Sequence, residues 1–363
     1  MRIVLLVIVV ALVALWMSRR KNEPETVQAA RHTGAPDEGE DKALAKRDRR
    51  AVAAGLLPRE RIGTKSGRTF DPRIPPVVEA AVRGDWVPGA ELLRVVDGKW
   101  AERSEVVAHL EGVAAEDDAF LVAWEEALPD DPDAALVRAA STVTLAWNIR
   151  GAKRATHTSR EQFAGFHETL DRARAETARA AELNPRDPAP LVHEIALALG
   201  LGYPHARMRE LWDRLVALDP HHFHGHKLAL QYWCAKWRGS RELALEFAEK
   251  AARGAPPESL LAVLPLMALF EHEDDHENPY TNPVALEWTE AAREAVAGAP
   301  DSWRSRETRH LVGYFLARQE RYAEALEQFR QVDDEVGFLP WSYYADPAEP
   351  YTRLRDRALR KAG

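Results

Sequence analysis

The chain has 363 residues, 46% of them hydrophobic and 29% charged, with a formal net charge of −8. That balance excludes a wholly disordered chain, and the length suits one elongated array or about two domains. A single cysteine, Cys234, excludes an intramolecular disulfide and a multi-cysteine zinc site.

Ile3 to Met17 is an unbroken apolar run of 15 residues, bounded by Arg2 on one side and by Arg19, Arg20 and Lys21 on the other. A helix of that length rises about 22 Å, short of the roughly 30 Å hydrocarbon core, so flanking arginines must snorkel or the bilayer thin. The shortness also suits a secretory signal. Against cleavage, Trp16, Met17 and Ser18 offer no small-x-small site, and the leading basic region is Arg2 alone. The expectation is an uncleaved membrane anchor over residues 1–18, with the cations after it placing the body in the cytoplasm.

Residues 19–74 read as a charged linker, interrupted by Pro24, Pro36, Pro58 and Pro72. Ser18 to Phe70 holds 13 basic and 8 acidic residues, whereas 35 basic and 49 acidic residues follow from Asp71 onward. An acidic body lacks the cationic face that a phosphate backbone requires, which argues against nucleic acid as a partner. Within the linker, Lys42, Lys46, Arg47, Arg49 and Arg50 precede Ala51 to Leu57. That pattern fits a solvated helix in a tether or a basic helix lying on anionic lipid.

From residue 75 to 363 apolar residues recur at helical spacing with almost no alternation, which predicts an all-α domain. Breakers fall at Asp131-Pro132, Asn184-Pro185, Asp219-Pro220, Ala255-Pro256 and Ala299-Pro300. Pro185 to Pro220 and Pro220 to Pro256 span 35 and 36 residues. These intervals lie close to the roughly 34 residues of the tetratricopeptide repeat, in which each helix pair buries a face on the next. Gly313, Leu316, Tyr322, Ala325, Phe329 and Val332 occupy that repeat's small, large and aromatic positions. Tyr232, Ala244, Ala248 and Ala251 lead in the same way to Pro256, with a turn at Gly239-Ser240. The segment from Asp131 to Leu183 exceeds one repeat by about twenty residues, around Gly151 to Gln162.

The stretches Ala146 to Gly151, Ser159 to Phe163, Asp219 to His222 and above all Gln231 to Ser240 carry a resemblance. Through them the chain resembles a family of actinobacterial proteins of uncharacterised activity with tetratricopeptide-like helices, over roughly Pro75 to Val332. The resemblance implies architecture and supplies no catalytic residues.

His272-Glu273-Asp274-Asp275-His276 matches H-E-x-x-H, the spacing in which two histidines one helical turn apart bind zinc and the glutamate acts as base. Two aspartates inside the motif and Asn278-Pro279 just after it contradict the apolar helix such a site needs, so the expectation is an acidic loop without metal. His221, His222, His224 and His226 form a second cluster, read as the start of a helix capped by Asp219 with Pro220 as its first residue. Cys234, between Trp233 and Trp237 on an expected amphipathic helix, reads as a buried, inert thiol. Neither a phosphate-binding glycine-lysine loop nor a dinucleotide glycine fingerprint is present, and no cofactor is expected.

These features favour a membrane-anchored interaction module or scaffold that holds a protein or peptide on a concave helical face, rather than an enzyme. Aligning the two best windows with the repeat pattern selects His226, Trp233, Lys236, Glu307, His310, Tyr314 and Arg318 as partner-binding. The alternative is an enzyme or anionic-ligand binder whose site lies in the insertion around 150–161, with Arg150, Arg154, His157 and Arg160 as its cations.

Overall fold

A computed structural model describes residues 38–64, 69–151, 159–275 and 278–362, with the backbone alone over 38–45 and at 275. The apolar run, Arg154, His157 and His276 lie outside the described residues. Among the described residues the chain forms sixteen α-helices and no β-strand, so the body is all-α. In chain order these are α1 (Glu38–Ala53), α2 (Ile74–Val82), α3 (Val87–Val95), α4 (Trp100–Glu116), α5 (Ala119–Ala127) and α6 (Pro132–Arg150). Next come α7 (Arg160–Leu183), α8 (Ala189–Leu201), α9 (His205–Leu218), α10 (Phe223–Trp233) and α11 (Arg241–Arg253). The chain closes with α12 (Leu264–Glu271), α13 (Pro283–Ala297), α14 (Trp303–Arg318), α15 (Tyr322–Arg330) and α16 (Ala348–Ala362).

Local chemistry sets the helix starts. Asp131 accepts the backbone N–H groups of Asp133 at 2.8 Å and Ala134 at 3.0 Å, with Pro132 in the first helical position of α6. Ser159 forms a capping box with Gln162 at the head of α7. The expected start of α10 is corrected: Asp219 ends α9, and His222 caps α10 by accepting the Gly225 N–H on Nδ1 at 3.1 Å. α10 also ends early, at Trp233, because the next residues turn back tightly. A Cβ at Gly239 would lie 1.8 Å from the Trp233 carbonyl oxygen, so only glycine closes this turn. Cys234 is buried in that turn rather than on a helix, and burial pushes its thiol pKa up.

The helices α4, α6, α8, α10, α12 and α14 each pack on the next of that set. Between them α5, α7, α11 and α13 each touch the member before and the member after. α8, α10 and α14 are buried around almost their whole circumference, whereas α9, α11 and α15 bury one stripe, which separates inner from outer helices. The close packing of α14 on α15 needs Gly313, where a Cβ would meet the Phe329 ring at 2.6 Å. The apolar core divides along α6: Ala139 and Ala140 pack with α2 to α5, Ala180 and Ala189, and Val143, Ala146 and Trp147 with most of the core downstream.

Polar groups are buried between the inner helices with their partners. Arg103 of α4 donates to Asp187 at 2.7 Å, Asp133 at 2.5 Å and the Leu93 carbonyl at 3.3 Å, tying together the turn before α8, the first turn of α6 and the end of α3. Glu111 of α4 accepts Thr144 of α6 at 3.2 Å and faces His193 of α8 at 3.8 Å. Burial raises Glu111 to about 8 and lowers His193 to about 4, so both are neutral at pH 7. Lys227 of α10 pairs with Glu307 of α14.

Part of the segment read as linker is folded onto the body. Ala51 and Leu56 form an apolar cluster with Leu326, and Arg47 donates to Asp356 at 3.2 Å and Thr352 at 3.1 Å. The Leu57 N–H donates to Asp333 at 2.5 Å, and Gly63 pairs with Glu335 in a single parallel bridge. Buried Arg355 joins these pieces, donating to Asp333 at 2.7 Å, Asp356 at 2.9 Å and the Leu57 carbonyl at 2.8 Å. The partners of this strap lie about 300 residues downstream, beyond the reach of any local pattern.

Candidate partner-binding site

Seven residues were expected on one open face, and the structure separates them. His226 is buried against Trp212 of α9 and Phe247 of α11, with Nδ1–H donating to the His222 carbonyl at 3.0 Å. Trp233 is buried against His205 and Tyr232. Glu307 is buried with Lys227, and His310 is fully buried. The Nε2–H of His310 donates to the Glu335 carbonyl at 2.8 Å, while its Nδ1 accepts the Trp341 indole N–H at 3.1 Å. Phe338 stacks on the same imidazole. The expectation of an open surface at these four positions is therefore corrected. Residues 335–341 of the chain itself cover that face of α14, and the later start of α10 turns His226 toward the outer helices.

The other three, Lys236, Tyr314 and Arg318, come together at one end of the inner helices. Phe270, near the end of α12, brackets the place, its ring 5.8 Å from Tyr314 and 5.3 Å from Tyr343. The next residue, Glu271, accepts Lys236 at 2.5 Å, Gln231 at 2.9 Å and the Tyr343 hydroxyl. Burial pushes the Glu271 carboxyl up, but the Lys236 charge and these three donors outweigh it and hold the pKa below its ordinary value. Glu273 accepts the hydroxyls of Tyr280 and, at 3.3 Å, Tyr314.

Arg318 completes the group at the end of α14. Its guanidinium lies 5.2 Å from the Tyr280 ring and 5.0 Å from the Tyr314 ring, and one nitrogen donates to the Tyr314 hydroxyl at 3.1 Å. The side chain is exposed, and its other N–H groups have no partner among the described residues. Tyr344 beside it is 38% exposed, the only aromatic among the large exposed apolar side chains of the described residues. The result is a rim of tyrosines around two cations, with both neighbouring carboxylates already bonded.

This geometry also settles the role of the first histidine of the H-E-x-x-H motif. His272 terminates α12, its Nδ1–H donating to the Ala268 carbonyl at 2.9 Å and its Nε2 accepting the Ala235 N–H at 3.2 Å. Both ring nitrogens are engaged with backbone, and Glu273 is engaged with tyrosines, so neither group is available to a zinc ion. In the insertion, Arg150 is buried beside Trp147 and bonds the Gly151 carbonyl at 3.2 Å, whereas Arg160 is exposed on α7. Burial lowers the Arg150 pKa to about 10.

Sequence reasoning missed Glu271, Tyr280 and Tyr343. Tyr343 follows the last repeat-like window, and nothing in its spacing links it to Lys236, 107 residues earlier. No protein-family model matches the chain, and no curated protein is detectably similar to it in sequence.

Proposed function

We propose that the protein is a membrane-anchored helical-repeat interaction module of tetratricopeptide type, and that a protein or peptide partner docks at the rim built by Lys236, Tyr280, Tyr314, Arg318, Tyr343 and Tyr344. Alternating inner and outer helices support the repeat reading, together with the small residues where α14 meets α15. Among the described residues no helix is long and apolar enough to cross a membrane, so anchoring and the cytoplasmic placement rest on the run from Ile3 to Met17.

The observation that carries the partner site is the state of Arg318. Two tyrosine faces hold its guanidinium while Glu271 and Glu273 are taken by other donors. A guanidinium fixed in this way presents preorganised donors to a carboxylate or a backbone carbonyl. Tyrosine and arginine are also the side chains that dominate binding energy at interfaces, because each adds much contact area for little lost rotamer freedom.

The test is a set of peptides synthesised with either a free C-terminal carboxylate or an amide, titrated against the full chain by fluorescence anisotropy. The carboxylate forms should bind more tightly. One charged hydrogen bond contributes about 1.5–3 kcal/mol, so Arg318→Ala should cost roughly 10- to 100-fold. Equal binding of acid and amide, or an unchanged affinity in Arg318→Ala, refutes the reading.

A further inference from the structure

The helices α1 and α16 lie side by side although their bonded residues Arg47 and Asp356 are 309 positions apart. One flank of this pair is closed by the strap that follows α1. Asp48 accepts the Arg59 N–H at 3.4 Å and Arg355 donates to the Leu57 carbonyl at 2.8 Å, so the strap runs beside those two residues. By helical register the opposite flank carries Lys46 and Arg50 on α1, with Arg353, Arg357 and Arg360 on α16. All five are exposed. Arg353 is shared with Glu349 at 2.8 Å, and Arg357 lies 5.7 Å from the Tyr322 ring. Lys46, Arg50 and Arg360 have no acidic partner among the described residues.

We infer that this flank is a cationic platform that seats the body on an anionic phospholipid surface. The inference rests on the membrane placement proposed above. Three observations carry it. The platform is a basic surface on a body whose sequence from Asp71 onward is strongly acidic, so its charge opposes its surroundings. It is built from the first helix among the described residues, and the twenty residues from Ser18 to Asp37 between it and the apolar run span at most about 70 Å. A body tethered at that range is held at high effective concentration next to the bilayer. Finally, a 15-residue apolar run is a short anchor, and an apolar insertion gains hold from a second, electrostatic contact.

The full chain with Ala362→Cys at the exposed end of α16 carries one accessible thiol, since Cys234 is buried. This protein, labelled there with a fluorophore, is floated with vesicles of phosphatidylcholine alone or of phosphatidylcholine with phosphatidylserine, each containing a headgroup-nitroxide quencher. The expected result is flotation on both, with quenching strong only on the anionic vesicles and falling as salt rises. The quadruple variant Lys46→Ala, Arg50→Ala, Arg357→Ala, Arg360→Ala should still float but lose that quenching. At about five-fold per cation, its contact with the surface weakens by several hundred-fold. Lysine substitution of the three arginines should keep the quenching, which separates charge from folding.

Flotation on both vesicle types with quenching indifferent to lipid charge overturns the platform and leaves the anchor standing. Flotation on anionic vesicles alone, abolished in the quadruple variant, supports the platform and overturns the anchor. No flotation on either overturns both.

Discussion

Acidification from pH 7 to pH 5 should destabilise the protein by a few kcal/mol, a balance of opposing groups inside the fold. Burial lowers His193 and His226 to about 4 and His310 to about 3, against an ordinary histidine value of about 6.5. Below pH 6.5 the unfolded chain takes up protons that the folded chain refuses. The histidine contribution is therefore present above pH 6.5 and is lost as pH falls toward the folded values. With those values each histidine costs about 2 kcal/mol at pH 5, or about 6 kcal/mol together. Burial also lowers His222 and His224, which adds loss of the same sign. Glu111 acts in the other direction. Its folded pKa of about 8 lies above the ordinary 4.5, so the folded chain holds a proton that the unfolded chain releases, and stability rises as pH falls through this window. Between pH 7 and 5 that gain is about 2–3 kcal/mol, so Glu111 offsets about half of the loss from His193, His226 and His310. Urea unfolding followed by far-UV circular dichroism at the two pH values measures it. Glu111→Gln removes the offset, so the loss should grow by about 2–3 kcal/mol. Equal unfolding midpoints at pH 7 and 5 in Glu111→Gln, where that offset is gone, would show that the histidines are not held neutral by burial.

Other substitutions test particular contacts. Gly239→Ala places a Cβ against the Trp233 carbonyl and should destabilise the fold by several kcal/mol in the same unfolding assay, whereas Gly298→Ala, with open space around it, should change it little. Arg355→Ala leaves buried Asp333 without its cation; a loss of about 3–5 kcal/mol is expected, with faster tryptic cleavage at Arg59 and Arg61 as the strap detaches. An unchanged cleavage rate would show that the strap is held by something else. Trp341→Phe removes the donor to Nδ1 of His310 and should cost about 1–3 kcal/mol in chemical unfolding. Arg318→Ala, on an exposed side chain, should leave the unfolding free energy within about 0.5 kcal/mol of the parent even as it weakens peptide binding.

The all-α class was legible because helical spacing is a local property: residues three and four apart share a face whatever surrounds them. The turns around Gly84 and Gly98, the cap at Asp131 and the capping box at Ser159 are each made by a few neighbouring residues. Local reading went astray at the head of α10. There Asp219-Pro220 has the form of a helix start, yet the imidazole of His222 takes the capping bond three residues later. It also failed for the groove, because a repeat register says which side chains leave the inner face but not whether another part of the chain already lies there. His310 and Glu307 hold their expected positions on α14 and are nonetheless covered.

The sequence by itself determined the all-α class, several of the breaks between helices, the small residues at α14 and α15, and the apolar run ahead of the body. The tertiary structure decided which polar residues meet. Lys236, Glu271, Tyr343 and Arg318 belong to four separate segments, as do Arg47, Leu57, Asp333 and Arg355, and no spacing rule connects them. A helix pattern reports burial on one face, but charge pairing depends on the partner across the interface. That partner is fixed only when the apolar faces of many helices have closed on one another.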